Sequence, residues 1–234
     1  MITAFRPAFL ILSLGFALSG PVLHTALAED APAQNSGDAV QGHDQAIKTP
    51  AGKFVQDLGD HAIAIIADPA VTHDKRAEKF RQILRESFDL PTIGRFVIGR
   101  TWNAATDAQQ KEYMRLFEEL VVKTYGSRME LYTGEGFSVI GVRPESEKDT
   151  IVTSNITHPD GSEPTEIDWR VRLRDGKLGV IDVVVEGVSL SVTQRQEYAS
   201  VIQRNGGQID GLLDLMRQQL KDADAPPPQG QQHG

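Results

Sequence analysis

The chain has 234 residues, with 24 lysines and arginines against 32 aspartates and glutamates, and no cysteine. A formal charge of −8 excludes the basic surface that nucleic acid requires and gives no bulk attraction to an anionic membrane. Without cysteine there is no disulfide framework, so stability has to come from a buried core.

The N-terminus reads as an export signal. Arg6 supplies positive charge, an apolar run extends from Ala8 to Leu18, Gly20 and Pro21 break it, and Ala26-Leu27-Ala28 forms an A-x-A cleavage site ahead of Glu29. The run is shorter than the roughly 20 residues of a membrane-spanning helix, so cleavage near Ala28 is expected. Residues 29–50, rich in Ala, Gln, Asn, Ser, Gly and Pro, read as a disordered linker. Residues 222–234, with three consecutive prolines, read as a disordered tail. What remains, 51–221, is one domain large enough for a real core.

The first half of that domain has helical periodicity. Phe54, Leu58, Ala62, Ile65 and Ile66 share one face, and Asp68-Pro69 ends that helix. Ala77, Phe80, Ile83, Leu84 and Phe88 form a second stripe stopped by Pro91, and Pro91 to Ile98 is a short third helix with proline in its first turn. Thr106 and Gln109 form a capping box, after which Tyr113, Leu116, Phe117, Leu120, Val121, Thr124 and Tyr125 fall on one side.

The second half changes period from 3.6 to 2. Strands are expected at 136–144, 150–158, 164–174 and 177–187, with Asp175-Gly176 as a two-residue hairpin loop. Ile167, Trp169, Val171 and Leu173 alternate with Asp168, Arg170, Arg172 and Arg174, giving one dry and one wet face. The run from Val180 to Val185 is apolar on nearly both faces and is expected to be central. Gly141 and Gly179 are candidate bulges that would curl the sheet. Two helices close the chain: one behind a possible Thr193–Gln196 capping box, broken at Gly206-Gly207, and one carrying Ile209, Leu212, Leu213, Met216 and Leu220.

Catalytic and metal chemistry find little support. No two of the six histidines stand at i,i+4 on a helix, and neither a Gly-rich phosphate loop nor a nucleophile elbow is present. Asp182, among valines, and Glu186, at the end of that strand, are the carboxylates worth weighing. Either an apolar surround raises the pKa of Asp182 and makes it a base, or Asp182 accepts hydrogen bonds from a neighbouring element while Glu186 caps or pairs. With no second catalytic partner, the structural reading is favoured. Strands grouped together, rather than alternating with helices, argue against a two-lobed importer-type binding protein.

Two ordered runs carry a resemblance. Phe88 to Arg100, Thr101-Trp102 and Thr106 to Tyr125 form the first. Asp182 to Leu190, Thr193-Gln194-Arg195 and Arg204-Asn205-Gly206-Gly207 form the second. Together they resemble the MlaC family of periplasmic phospholipid-binding proteins, also called toluene-tolerance proteins, which has a hopanoid-associated branch. The resemblance covers about 51–221.

It implies an α+β fold: a strongly curved antiparallel sheet of about four strands, of the ketosteroid-isomerase-like cone type, wrapped by N- and C-terminal helices around an apolar cavity. It also implies a monomeric periplasmic carrier, not an enzyme, that moves phospholipid between an outer-membrane lipoprotein complex and an inner-membrane ABC transporter complex. No catalytic residue, metal or cofactor is expected. The acyl tails are expected between the dry sheet face and the helices, with Phe96, Ile98, Tyr113, Phe117, Val121, Tyr125, Tyr132, Val139, Trp169, Val171, Val183, Val185 and Val188 as the wall. The alternatives are a hopanoid or related lipid as cargo, or a cone-fold isomerase or dehydratase using Asp182.

Overall fold

The structure, a computed structural model, describes residues 42–68, 70–126, 132 and 134–224. The export signal, residues 29–41 of the linker and residues 225–234 of the tail lie outside the described residues. A short helix, α1 (residues 42–46), precedes α2 (Pro50–Ala67), α3 (His73–Ser87), α4 (Leu90–Ile98), α5 (Thr101–Ala104) and α6 (Asp107–Gly126). Five strands follow: β1 (Gly136–Pro144), β2 (Asp149–Thr157), β3 (Thr165–Arg174), β4 (Lys177–Val185) and β5 (Val188–Ser189). The last helices are α7 (Leu190–Arg204) and α8 (Asp210–Asp224).

The helix ends follow from local chemistry. Thr49 Oγ1 accepts from the Gly52 N–H at 3.0 Å, and Pro50 occupies the first turn of α2, where a missing N–H costs nothing. The capping box of α6 is reciprocal: the Gln109 N–H donates to Thr106 Oγ1 at 3.3 Å, and the Thr106 N–H donates to Gln109 Oε1 at 2.9 Å. α3 stops at Ser87, four residues ahead of the proline expected to stop it. There Phe88 turns extended and forms a parallel bridge to Val180, and the Asp89 N–H donates to the Val180 carbonyl at 2.9 Å. Asp89 then caps α4, accepting from the Thr92 N–H at 3.0 Å.

The sheet is an open antiparallel meander in the order β1-β2-β3-β4-β5. It has one strand more than expected, because β4 ends at Val185 instead of 187. Glu186 (φ 48°) and Gly187 (φ 81°) form a tight turn into β5, and the Glu186 N–H donates to the Glu166 carbonyl at 3.2 Å. Both residues have positive φ, as in the Asp175-Gly176 loop between β3 and β4 (φ 50° and 75°), where right-handed strand twist favours that turn type.

β4 is not central. Its outer edge meets only the two-residue β5 and the bridge from Phe88, and its second apolar face is covered by α7. The bulges also differ from expectation. In β1 the extra residue is Ile140, beside Gly141; in β4 it is Ile181 and not Gly179, because Arg170 pairs with Asp182 while Val171 pairs with Val180.

The Thr193 capping box does not form. Ser189 caps α7 by accepting from the Val192 N–H at 3.1 Å, and the Thr193 hydroxyl donates to the Ser189 carbonyl one turn back. Gly206 and Gly207, both at positive φ, end α7 as expected.

Two apolar bodies result. In the helical one, α3, α4, α6, α7 and α8 pack around Tyr113, Leu116, Leu212, Leu213 and Met216. In the other, α1 and α2 lie on the dry sheet face over Val55, Val139, Val152 and Val171, and Leu58, Ile65, Ile83 and Val180 continue that contact. α3 serves both, with Ile83 toward the sheet and Phe80 and Leu84 toward the helices. The fold takes in residues that the sequence alone assigns to the linker and the tail. Ala46 is buried, His43 Nδ1 lies 2.7 Å from the Val139 carbonyl, and α8 runs on to Asp224.

Candidate functional site

Register fixes which side chains share the dry face. Val152 faces Trp169, which faces Val183; Ser154 faces Ile167, which faces Val185; Phe137 faces Ile156. Burial across these rows is uneven. Val139, Val152, Val171 and Val180 are at most 1% exposed, whereas Phe137, Trp169, Val183 and Val185 are half-buried. The partly uncovered strip lies toward the end of the sheet where β4 leaves for the Glu186-Gly187 turn.

Its aromatic part is held in place. The Trp169 indole N–H donates to Ser154 Oγ at 2.9 Å, and Phe137 meets Trp169 edge-on at 6.1 Å between ring centroids. Ser154 is fully buried and gives Trp169 a fixed orientation within an otherwise apolar row. α2 crosses at Gly59, where a Cβ would come within 2.2 Å of the Phe137 ring. Only glycine lets the helix backbone lie on that ring.

The opposite face is charged and solvated. Arg172 binds Asp149 through two hydrogen bonds of 2.7 Å, Arg170 pairs with Glu145 at 2.8 Å, and Arg143 reaches Asp168 at 3.4 Å. The bidentate Arg172 contact holds the Asp149 carboxyl below its ordinary value, against a smaller opposing effect of burial.

Asp182 projects from this second face but is only 6% exposed, because the start of α7 covers it. Its Oδ1 accepts from the Val183 N–H at 2.9 Å and the Ser191 N–H at 3.2 Å, and its Oδ2 accepts from the Ser189 hydroxyl at 2.6 Å. The carboxylate therefore ties β4 to the N-terminus of α7, where the helix dipole favours negative charge. Among the described residues, no group of His, Asp or Glu could hold a metal.

The expected wall residues divide into three sets. Val139, Trp169, Val171, Val183 and Val185 come together on the dry face. Ile98, Tyr113, Phe117, Val121 and Tyr125 instead fill the helical core. There the Tyr113 hydroxyl donates to the Gly94 carbonyl at 2.9 Å, and Tyr113 stacks on Phe117 at 5.9 Å. Burial pushes the Tyr113 phenol above its ordinary range, so it remains a donor.

Tyr132 is half-buried and donates to the Glu135 carbonyl at 3.1 Å. Phe96 and Val188 do not face the interior: they are 41% and 49% exposed. α4 turns Phe96 outward beneath the Arg195 guanidinium, 4.9 Å above its ring, and Val188 opens the edge strand β5. The sequence reading omitted Phe137, Ser154, Ile167 and Val180 from the site. The alternation of β1 to β4 carries the signal for them, but pairing register is needed to read it.

The sequence model of the MlaC protein family matches residues 56–218. The toluene tolerance protein ttg2D of Pseudomonas putida is 23% identical over 215 residues, which cover 92% of this chain and 90% of that protein. Among solved structures, a phospholipid-binding protein of Ralstonia solanacearum, in complex with a phospholipid, matches with a TM-score of 0.65 at 23% identity. That match covers 74% of this chain and 98% of the other. The family match runs from within α2 to within α8, spanning the sheet, the helical body and the Asp182 contacts, and on that extent the chain belongs to the MlaC family.

Proposed function

We propose that the mature protein is a periplasmic carrier of phospholipid, holding the acyl tails against the dry sheet face and passing the lipid between outer-membrane and inner-membrane transport complexes. The observation that carries this reading is the half-buried strip of Phe137, Trp169, Val183 and Val185 in a fold whose Ralstonia relative holds a phospholipid. The tails enter along the seam between the two apolar bodies, where α3 and Phe88 contribute to both.

Burial of two ordinary acyl chains, with about 30 methylenes at ~0.8 kcal/mol each, is worth on the order of 24 kcal/mol. Escape through water is then extremely slow, and transfer requires docking to a donor or acceptor that offers an equally apolar path. No chemical step is needed. Asp182, the best candidate base, already accepts three hydrogen bonds from its own fold.

The test is native mass spectrometry of exported protein purified without detergent, with organic extraction of the same sample. A stoichiometric phospholipid adduct is expected. A hopanoid adduct would change the cargo, and protein that is empty across preparations would overturn the reading.

A further inference from the structure

A groove of about 540 Å³ runs between α3, α4, α5 and α6, and no strand contributes to it. Its floor is apolar, formed by Phe88, Leu90, Trp102 and Met114 among others, and its rim carries the arginines 81, 85, 95 and 115 and the glutamates 118 and 119. Both glutamates are committed: Arg85 pairs with Glu118 at 2.7 Å and Arg115 with Glu119 at 2.9 Å.

Arg81 and Arg95 have no carboxylate partner among the described residues. Arg95 lies over the Trp102 ring at 5.0 Å, a contact that satisfies its face and leaves its N–H edges unused. Arg81 Nε is buried with no hydrogen-bond partner among the described residues, a costly state for a donor. In a chain of charge −8, two guanidiniums without a carboxylate partner over an aromatic floor make this rim a local positive site.

We infer that this groove docks an acidic segment of a partner protein, one that sets an apolar or aromatic side chain on Trp102 and Met114 and brings carboxylates to Arg81 and Arg95. Charge complementarity identifies the occupant: the rim has a surplus of two positive charges, and guanidinium binds carboxylate in fork geometry. An aromatic anchor flanked by arginine is also the composition of an interaction hot spot. The inference rests on the carrier reading for its need of a docking partner; the groove is separate from the sheet face assigned to the tails and shares only α3 and Phe88 with the entry seam.

The chain has no cysteine, so a single thiol introduced as Pro91→Cys, on the exposed groove rim, can carry a benzophenone label. Labelled mature protein is irradiated with a cell-envelope preparation, and the cross-linked segment is sequenced by mass spectrometry. Lipid occupancy is measured on the same protein. The expected result is a cross-link to a protein segment containing Asp or Glu beside an apolar residue. Its yield should fall about tenfold or more with Arg81→Glu plus Arg95→Glu, because like charges are then opposed, and in milder form with the corresponding Gln pair. Lipid occupancy should be unchanged in both.

No adduct, an adduct to lipid alone, or a protein adduct that survives charge reversal overturns the inference. Protein that carries no lipid would instead defeat the carrier reading, whatever the cross-link shows.

Discussion

The role of Asp182 can be separated from catalysis by comparing two substitutions. Asp182→Ala removes the acceptor of the Val183 N–H, the Ser191 N–H and the Ser189 hydroxyl. The hydroxyl can turn toward Ser191 Oγ, 3.4 Å away, but the two N–H groups cannot move. The Ser191 N–H lies in the first turn of α7, where no intrahelical carbonyl is available. Each stranded donor costs about 1–3 kcal/mol, and losing a carboxylate at a helix N-terminus adds about 0.3–2 kcal/mol. A total loss of about 2–8 kcal/mol is expected, a large part of the ~5–15 kcal/mol that holds a domain together.

Asp182→Asn keeps Oδ1 for both N–H groups and exchanges Oδ2 for an amide that donates to Ser189 Oγ. That oxygen already accepts from the Val192 N–H but has a second lone pair. Only the charge assistance is lost, about 1–2 kcal/mol. Urea unfolding at constant m-value measures both. Each kcal/mol corresponds to about 2–4 °C in Tm for a domain of this size. Asp182→Ala within 1 kcal/mol of wild type, or Asp182→Asn as damaging as Asp182→Ala, would refute the reasoning; so would a turnover abolished by Asp182→Asn in a protein of unchanged stability.

Four further outcomes follow from the geometry. Val183→Trp, at a half-buried position on the dry face, should leave the fold cooperative while lowering extractable lipid phosphorus per protein; normal folding with full occupancy would remove Val183 from the tail site. Val171→Trp, at a position 1% exposed, should instead overpack the core and cost about 1–3 kcal/mol whether or not lipid is bound. Asp149→Asn should reduce stability near neutral pH. Because Arg172 lowers the folded-state pKa of Asp149, that stabilisation is full above the unfolded value and lost as pH falls through the folded one, so mutant and wild-type urea midpoints should converge below about pH 4. Thr106→Ala removes the α6 cap and should cost about 1 kcal/mol in the same assay.

Local chemistry was legible wherever it acts through neighbouring residues. The Thr106–Gln109 box, the Asp175-Gly176 loop, the Gly206-Gly207 stop and the last stripe, from Ile209 to Leu220, all form as their residues dictate. The failures lie where a distant element competes. Ser189 displaces Thr193 as the cap of α7 because Asp182 anchors the Ser189 hydroxyl from another strand. Glu186 reads as the end of a strand, yet it takes positive φ because the chain turns back there to pair Val188 with Val185. α1 was hidden inside a polar stretch: its contribution is one buried alanine, and its contact to β1 runs through His43. Phe96 was expected in the tail wall, but α7 packs on α4 so that Phe96 is left outside beneath Arg195.

The expected wall residues do not share one surface, for a different reason. Apolar periodicity reports that a side chain is turned away from water, and not which of two apolar bodies it joins. Tyr113 and Trp169 are both aromatic and both turned inward. Tyr113 is fully buried, with Trp102, Phe117 and Tyr198 against its ring. At native packing density an acyl chain could enter there only by displacing protein contacts. Trp169 is half-buried, pinned by Ser154 on one side and touched edge-on by Phe137, with Val183 as its cross-strand neighbour. A tail laid along that strip replaces water rather than protein, so its burial is offset by little lost packing. On the proposed carrier reading, the part of the helical core around Tyr113 keeps its contacts in the full and the empty protein, and α3, which lends Phe80 and Leu84 to that core and Ile83 to the sheet body, is the element placed to shift as tails enter.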